Sequence, residues 1–207
     1  MRQKILVLLA HPALERSRVN RELARAAREL KGVTVRDLYE EYPTLYIDVP
    51  REQALLLEHD VIVFQHPFYW YSAPAMLKEW QDLVLEHGWA YGHGGDQLRG
   101  KVTFNAVTTG GPAAAYQKTG YNRFTMRELL APFDQTAHLC GMRFLAPFVV
   151  HASLRIAGAE DVEPHARAYQ GLLSALQDGL LDVEKASAAS TLNQEFESLL
   201  LAERGAS

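Results

Sequence analysis

Hydrophobic residues in this chain alternate between short continuous runs and longer segments in which they recur at helical spacing. The continuous runs have the length of strands that are buried on both faces of a parallel sheet. Between them, apolar positions recur every three or four residues, which predicts amphipathic helices. The pattern predicts five strands, at residues 5–10, 33–38, 61–64, 101–108 and 144–150. Pro147 weakens the last prediction, because proline cannot donate to a strand ladder.

Helix boundaries follow from capping residues and prolines. A serine suits an N-cap, and a proline suits the first turn of a helix, where its missing N–H costs nothing. A proline further along a helical pattern predicts a kink or a break. The chain accordingly predicts helices after Ser17, after Pro50, after Pro74, over residues 123–139 with a break or kink at Pro132, and around residues 162–176, with a loop over residues 39–50.

Strands and helices alternate five times, which predicts an α/β fold: a doubly wound parallel sheet with helices on both faces. Short connections after each strand favour the flavodoxin-like strand order 2-1-3-4-5. We expect residues 1–180 to form this domain and residues 181–207 to form a linker and a helical tail. The last helix is predicted to begin at Thr191, which stands at capping-box spacing from Gln194.

Composition narrows the class of protein. The chain has 207 residues, 48% of them hydrophobic and 22% charged, which fits one globular domain of ordinary size. A formal net charge of −4 provides no electrostatic footprint for nucleic acid. Cys140 is the only cysteine, so no internal disulfide is possible, as is common in a reducing cytoplasm. The apolar runs are too short for a bilayer span, and the chain starts directly with a strand, which predicts a cytoplasmic protein.

Three loops should meet at the carboxyl edge of the predicted sheet, where open α/β sheets bind ligands. The first carries His11, Ser17 and Asn20 at the start of a helix, where free N–H groups favour an anion such as phosphate. The second, residues 67–73, is rich in aromatic rings, and the third, residues 109–122, opens with glycines whose backbone can approach a planar ring. Phosphate, flat ring and backbone hydrogen bonds together indicate a flavin.

Other sites are excluded by missing residues. The run Ala10-His11-Pro12 also opens the zinc deacetylase motif, but Ala13 and Leu14 replace its two aspartates. The first turn lacks the glycine pattern of a dinucleotide site, and no phosphate-binding lysine loop or nucleophile elbow is present. His87 and His93 lack the further ligands of a metal centre, so no metal site is predicted. Cys140 is expected to be a small buried hydrophobe.

These segments resemble the NAD(P)H:quinone oxidoreductase family of flavodoxin-like flavoproteins over residues 4–180. Within that family they are most similar to the ancillary subunits of glutathione-gated potassium efflux systems. The residues that carry the resemblance are Ala10-His11-Pro12, residues 65–80, residues 88–95, residues 107–111 and Tyr116.

The resemblance implies a bound flavin, an NADH or NADPH donor and a quinone-like acceptor. FMN is expected, with FAD as the alternative, because no adenosine site is evident. The phosphate would bind to His11, Ser17 and Asn20. The ring would contact Pro67, Phe68, Tyr69, Trp70, Tyr71, Thr108, Thr109, Gly110 and Gly111. Tyr116 would lie at the reactive edge as a catalytic residue, with Asn122 at the position where some quinone reductases carry a proton-relaying histidine.

The resemblance also implies partners. A homodimer with the flavin near its interface is expected, which agrees with the many aromatic residues in predicted loops. The chain could also be a regulatory subunit of a potassium/proton antiporter, held peripherally at the inner face of the cell membrane. Two alternatives stay open: a non-catalytic flavin-binding regulatory subunit, and an electron carrier without its own NAD(P)H site.

Overall fold

A computed structural model describes residues 2–201, and its centre is a six-stranded sheet. Its strands are β1 (Ile5–Leu9), β2 (Val33–Asp37), β3 (Val61–Pro67), β4 (Val102–Thr108), β5 (Arg143–Phe144) and β6 (Phe148–Val150). All strand pairs are parallel, and the order β2-β1-β3-β4-β5 confirms the flavodoxin-like prediction, with β6 also paired to β4.

The predicted fifth strand is divided into β5 and β6. Pro147 lies in the gap and has no N–H to give to the ladder. The backbone there bonds to the tail of the chain instead: the Ala146 N–H donates to the Ala186 carbonyl, and the Pro147 carbonyl accepts from the Leu192 N–H. The backbone groups in the gap are therefore hydrogen-bonded to residues that lie some forty positions later in the sequence.

Helices occupy most of the predicted segments. The prediction of a loop over residues 39–50 is wrong for residues 39–41, which belong to a short helix that the Asp37 carboxylate caps. The predicted helix 123–139 is broken into two at Leu130, next to Pro132. The helices are α1 (Arg18–Arg28), α2 (Leu38–Glu41), α3 (Val49–Glu58), α4 (Ala75–Val84), α5 (Met126–Leu129), α6 (Ala131–Leu139), α7 (Ala159–Gln177), α8 (Val183–Ala188) and α9 (Phe196–Leu199).

The core consists of one apolar layer on each face of the sheet. Side chains alternate between the faces along each strand. Leu6 and Leu8 of β1 belong to the layer that holds Trp80 of α4. Ile5 of the same strand belongs to the opposite layer, together with Leu23 of α1. Helices thus cover both faces and leave the carboxyl ends of the strands open to a ligand.

A buried carboxylate ties α3 and α4 to β2. Glu52 is fully buried and accepts hydrogen bonds from the Arg36 guanidinium at 2.6 Å, the Tyr42 hydroxyl at 2.7 Å and the Trp80 indole N–H at 2.9 Å. Such a fully paired buried charge is strongly destabilising to break, because one partner is left without compensation. This network fixes α4, which begins directly after the aromatic loop.

The tail covers the edge of the sheet beside β6. The Asn193 side chain donates to the Val149 carbonyl and accepts from its N–H, both at 3.0 Å, as a neighbouring strand would. Helix α8 lies within the segment predicted as a linker. The predicted start at Thr191 is wrong, because the Glu195 carboxylate accepts from the Ser190 and Thr191 N–H groups and α9 begins only at Phe196. Residues 202–207 of the predicted tail lie outside the described residues.

The helices described between residues 2 and 201 are four to nineteen residues long. None of them is both long enough and apolar enough to cross a membrane.

Candidate functional site

The three predicted loops meet at the carboxyl edge of the sheet, around two adjoining cavities of ≈ 520 and ≈ 500 Å³. His11 and Ser17 line the outer end of the first cavity. Phe68, Trp70 and Gly110 line both, and they join the two into one cleft. The second cavity continues to Pro112, Ala115, Tyr116, Tyr121 and Asn122. Most of the residues predicted from the sequence thus surround one space.

Ser17 closes the outer end of the cleft as the N-cap of α1. Its Oγ accepts from the Asn20 backbone N–H at 3.3 Å and from the Asn20 Nδ2 at 3.1 Å. With both acceptor positions in use, the Ser17 hydroxyl proton remains available to a ligand. The N-terminus of an eleven-residue helix adds free N–H groups and a positive dipole end. This end of the cleft is suited to an anion.

His11 faces the same end as a neutral hydrogen-bond donor. Its Nδ1 accepts the Ala13 N–H at 3.1 Å, so the ring proton must lie on Nε2. Burial lowers the pKa of His11, while the carboxylate of Glu15 opposes that shift. The Nε2–H is therefore a donor at neutral pH without a formal charge on the ring.

Asn20 lies one layer below the cleft rather than in its wall. It is fully buried, and its Nδ2 donates both to Ser17 and to the Thr108 Oγ1, the latter at 2.9 Å. Its backbone carbonyl accepts from the Gln65 Nε2 at 2.9 Å. Asn20 therefore joins α1 to β3 and β4, and it orients the two hydroxyl groups that face a ligand.

The inner end of the cleft is floored by a tight aromatic turn. The Phe68 N–H donates to the Thr108 carbonyl at 2.8 Å, and the Ser72 N–H closes the turn on the Tyr69 carbonyl at 2.9 Å. Trp70 and Tyr71 between them have φ angles of 50° and 61°. A non-glycine residue held in this left-handed region costs about 1–3 kcal/mol. The Trp70 ring is nevertheless 93% exposed, so no burial compensates for the strain.

His66 supports this turn from beneath. It is fully buried, its Nδ1–H donates to the Pro67 carbonyl at 3.0 Å, and its Nε2 accepts from the Asn105 Nδ2 at 3.0 Å. Its ring stacks on Phe133 at 5.6 Å between centroids. Burial lowers the pKa of His66 to about 4, so the ring is neutral at physiological pH.

The third loop brings Tyr116 over the inner end. Its ring lies 6.2 Å from Phe68, edge to face, and its hydroxyl lies beside the side chains of Thr109 and Asn122. Burial raises the pKa of Tyr116, which keeps the phenol protonated. Asn122 also accepts the Tyr71 hydroxyl at 3.3 Å, so the amide bridges the second and third loops.

Sequence reasoning missed four residues that the fold brings to this site. Arg16, Ser153 and Leu154 line the first cavity, and His151 contacts Thr109 behind Tyr116. Arg16 directly precedes the Ser17 cap, so its position was a usable signal. The other three follow β6, and the rule that strand ends carry sites could have found them.

The remaining histidine and cysteine predictions concern positions outside the cleft. The His87 ring packs against Tyr91 at 5.5 Å, in contact with the backbone of Gly92. Over residues 2–201, no group of three or more histidine, cysteine, aspartate or glutamate side chains could hold a metal ion. Cys140 is buried, and burial raises the pKa of its thiol, as the prediction of a small hydrophobe requires.

Comparison with known proteins agrees with this geometry. One relative is the glutathione-regulated potassium-efflux system ancillary protein KefG of Shigella flexneri serotype 5b. It is 51% identical to this chain over 166 residues, which cover 80% of this chain and 90% of the relative. General stress protein 14 of Treponema denticola, solved in complex with FMN, has a TM-score of 0.79 and 41% identity, covering 84% of this chain and 99% of that one.

An NADPH-quinone reductase from P. pentosaceus has a TM-score of 0.74 and 34% identity, covering 82% of this chain and 97% of that one. The family model that matches spans residues 3–173, which include all three loops of the cleft, and its description is a flavodoxin-like fold. With the strand order, the cleft and this match in agreement, the chain belongs to the family of proteins with the flavodoxin-like fold.

Proposed function

We propose that this chain binds FMN without a covalent bond and uses NADH or NADPH to reduce quinone-like acceptors. The observation that carries the proposal is one cleft with anion-binding donors at its outer end and an aromatic floor at its inner end. The similarity to proteins named as an FMN complex and as a quinone reductase supports it.

The outer end fits a phosphate group. The His11 Nε2–H, the Ser17 hydroxyl and the first N–H groups of α1 are donors, and Arg16 adds a positive charge at the rim. Glu15 lies 3.7 Å from the Arg16 guanidinium at this rim, but its carboxylate is not among the described residues that line the cavity. Asn20, being buried behind them, would act on the phosphate through Ser17 and Thr108. This donor set can hold a dianion, as helix N-termini do.

The inner end fits a flat ring system. Phe68, Trp70 and Tyr71 would supply stacking surface, with Pro67 and Tyr69 completing the turn. Thr108, Thr109, Gly110 and Gly111 would present backbone groups to the polar edge of the ring, and glycine allows that close approach. FMN is preferred over FAD, because the similar general stress protein 14 of Treponema denticola was solved in complex with FMN.

Bound FMN would supply the two-electron redox chemistry between a nicotinamide and a quinone. The protein's part is to orient the reactants and to handle protons. The exposed face beside Trp70 and Tyr121 would receive nicotinamide and quinone in turn, which predicts ping-pong kinetics. Tyr116, kept protonated by burial, would donate a hydrogen bond to the quinone oxygen as negative charge develops there.

The first test is the identity of the bound flavin. The purified protein should be yellow, and heat should release FMN that chromatography identifies. FAD as the only pigment would refute the choice of FMN. A colourless protein that binds no added flavin would refute the whole proposal, and a flavin-loaded protein without turnover of NAD(P)H and quinone would favour the electron-carrier alternative.

A second candidate function is regulation of a potassium efflux system from the inner face of the membrane. The specific observation in its favour is the 51% identity to a protein named as an ancillary subunit of such a system. Co-purification with the membrane-embedded transporter should detect the complex. Potassium efflux that is unchanged when this chain is deleted would contradict the regulatory function.

A homodimer is proposed as well, with the cleft near its interface. Tyr46, Trp70 and Tyr121 are 85%, 93% and 91% exposed. Large aromatic rings exposed to solvent are typical of surfaces that bind another protein or a ligand. Light scattering at micromolar concentration should give the mass of two chains. A monomeric mass would contradict the proposal.

A further inference from the structure

Behind the cleft lies a smaller cavity of ≈ 170 Å³ that shares Tyr116 with it. Its walls carry several polar side chains from separate segments of the chain. The third loop contributes Gln117, the N-cap of α5 contributes Thr125, and the position after β6 contributes His151. The tail contributes Ser190, Thr191 and Gln194. Tyr116 and His151 therefore stand between this cavity and the site proposed for the quinone.

The hydrogen bonds of His151 define where its proton lies. Its Nδ1 is 3.1 Å from the Thr109 Oγ1, whose own proton is donated to the Gly111 carbonyl at 2.8 Å. The Thr109 oxygen must therefore accept, and Nδ1 must carry the hydrogen. No residue among those described is hydrogen-bonded to Nε2, which keeps its lone pair. Burial lowers the pKa of His151, so the ring is neutral at pH 7 and can both give and take a proton.

His151 is in contact with the proposed reactive edge. Its ring lies 5.4 Å from the Tyr116 ring, tilted by 35°. The Tyr116 hydroxyl lies beside the Thr109 side chain. The small cavity, the hydrogen-bonded pair of His151 and Thr109, and the neighbouring Tyr116 hydroxyl therefore follow one another in space.

The small cavity also requires water. The Thr191 hydroxyl is buried, lines the cavity, and has no hydrogen-bond partner among the described residues. Buried polar groups of this kind are usually satisfied by ordered water. The tail that holds Thr191 is fixed by Arg127, whose guanidinium donates to the carbonyls of Ser187 and Ala189 at 2.8 and 2.9 Å.

We propose that the tail-walled cavity is the entry route for the proton of quinone reduction, and that His151 relays this proton to Tyr116 through the Thr109 hydroxyl. This inference rests on the proposed function. Reduction of a quinone to a hydroquinone consumes one hydride, which the cleft would deliver, and one proton. Tyr116 gives its proton to the quinone oxygen, and the Thr109 hydroxyl then turns from the Gly111 carbonyl to reprotonate Tyr116. The His151 Nδ1–H reprotonates Thr109, and a proton from cavity water binds Nε2.

The tail wall of the cavity lies outside the segment that matches the family model. Residues 190–194 lie beyond position 173, where the match to the family model ends. Because His151 acts through other groups, it is a positioning and relay residue.

The test is stopped-flow reoxidation of the FMN-loaded protein by a quinone, after reduction with dithionite. This design needs no NAD(P)H, so failure of the nicotinamide reaction and failure of the relay remain distinguishable. His151→Phe should slow reoxidation about tenfold or more, the usual scale of proton-transfer catalysis, and added imidazole should restore part of the rate. The matched control is His165→Gln, which changes a half-buried histidine of α7 with a similarly lowered pKa and should leave the rate unchanged.

His151→Asn separates a relay from a simple hydrogen bond, because an amide can still donate to Thr109 but cannot pass a proton on. It should be as slow as His151→Phe, and it decides the question alone if the phenylalanine variant does not fold. A wild-type rate in His151→Asn would overturn the relay. Combining His151→Phe with Tyr116→Phe should add no further loss, and a fully additive loss would overturn the route through Tyr116.

Discussion

The two ends of the cleft are built by different means. The outer end consists of regular structure: the end of β1, a capped helix, and local hydrogen bonds from Ala13 to His11 and from Asn20 to Ser17. The inner end is a turn with two left-handed residues, Trp70 and Tyr71, and with aromatic faces open to solvent. A charged group calls for fixed donors, whereas a ring that must admit two reactants in turn needs an exposed stacking surface.

Stability is distributed accordingly. The donors of the outer end lie in unstrained backbone, so little energy is needed to keep them in place. The turn at the inner end is strained, and contacts with its surroundings hold it in that conformation. The Thr108 carbonyl holds Phe68 from one side, and His66 holds the Pro67 carbonyl from below. Breaking these supports should therefore affect the inner end more than the outer end.

The largest expected effect is the pH dependence that His66 gives to the fold. The pKa of His66 falls from its ordinary 6.5 to about 4 on folding, so between these values the unfolded chain binds more protons. The free energy of unfolding therefore rises with pH in this window. The stabilisation is complete above pH 6.5 and is lost as the pH falls to 4, by about 3 kcal/mol.

Urea unfolding at pH 7 and pH 4.5 measures this effect. His66→Gln keeps an amide in the same place but does not titrate, so its stability should depend less steeply on pH than that of the wild type. The other histidines titrate in both proteins and cancel in the comparison. Parallel pH dependences for the two proteins would show that His66 is not held neutral.

The next effect concerns the outer end. Asn20→Ala removes the two side-chain hydrogen bonds that orient Ser17 and Thr108. At about 1–1.5 kcal/mol each, their loss should weaken FMN binding by up to about a hundredfold. Quenching of FMN fluorescence on titration measures the affinity. Arg28→Ala, at the exposed far end of the same helix, is the control and should bind FMN normally. Unchanged affinity in Asn20→Ala would contradict the arrangement.

The outer end is also the part that sequence could predict. Ser17 is followed by an amphipathic pattern, and His11 ends a continuous apolar run, so both positions follow from local rules. The role of Asn20 behind the cleft could not be predicted, because its partner Thr108 is 88 positions away.

The sequence predicted the aromatic residues of the inner end, but it did not predict which residues hold the turn in place. The aromatic run 68–71 marked the loop, yet nothing local showed that His66 would bond back to Pro67 or that Phe133 would stack on it. The strand-end rule could have pointed to His151, but its place beside Tyr116 depends on the division of the fifth strand at Pro147 and on tail residues that pair with the gap. Contacts between distant segments therefore limited the prediction, and helix α8 was missed for the same reason.

A smaller effect is expected at the reactive edge. Tyr116→Phe keeps the ring that packs on Phe68 and deletes the hydroxyl beside Thr109 and Asn122. Reoxidation by quinone should slow about tenfold, the cost of one transition-state hydrogen bond, while FMN affinity stays nearly constant. Stopped-flow absorbance measures the rate. Equal rates for wild type and Tyr116→Phe, with Asn122→Ala slow instead, would assign the donor role to Asn122.

The smallest effect tests the strain of the aromatic turn itself. Trp70→Gly places at φ 50° the one residue that adopts this conformation freely, and little buried surface is lost because the ring is 93% exposed. Relief of about 1–2 kcal/mol of left-handed strain outweighs the greater chain entropy of glycine, so the flavin-free protein should gain about 0.5–1 kcal/mol. FMN affinity should fall in the same variant, since the stacking face is gone. Trp70→Ala keeps the strain and removes the same face, so it should lose affinity equally without the gain in stability. Equal stability of the two variants in urea would mean that the turn stores no strain, and the contrast between the two ends of the cleft would then be one of exposure alone.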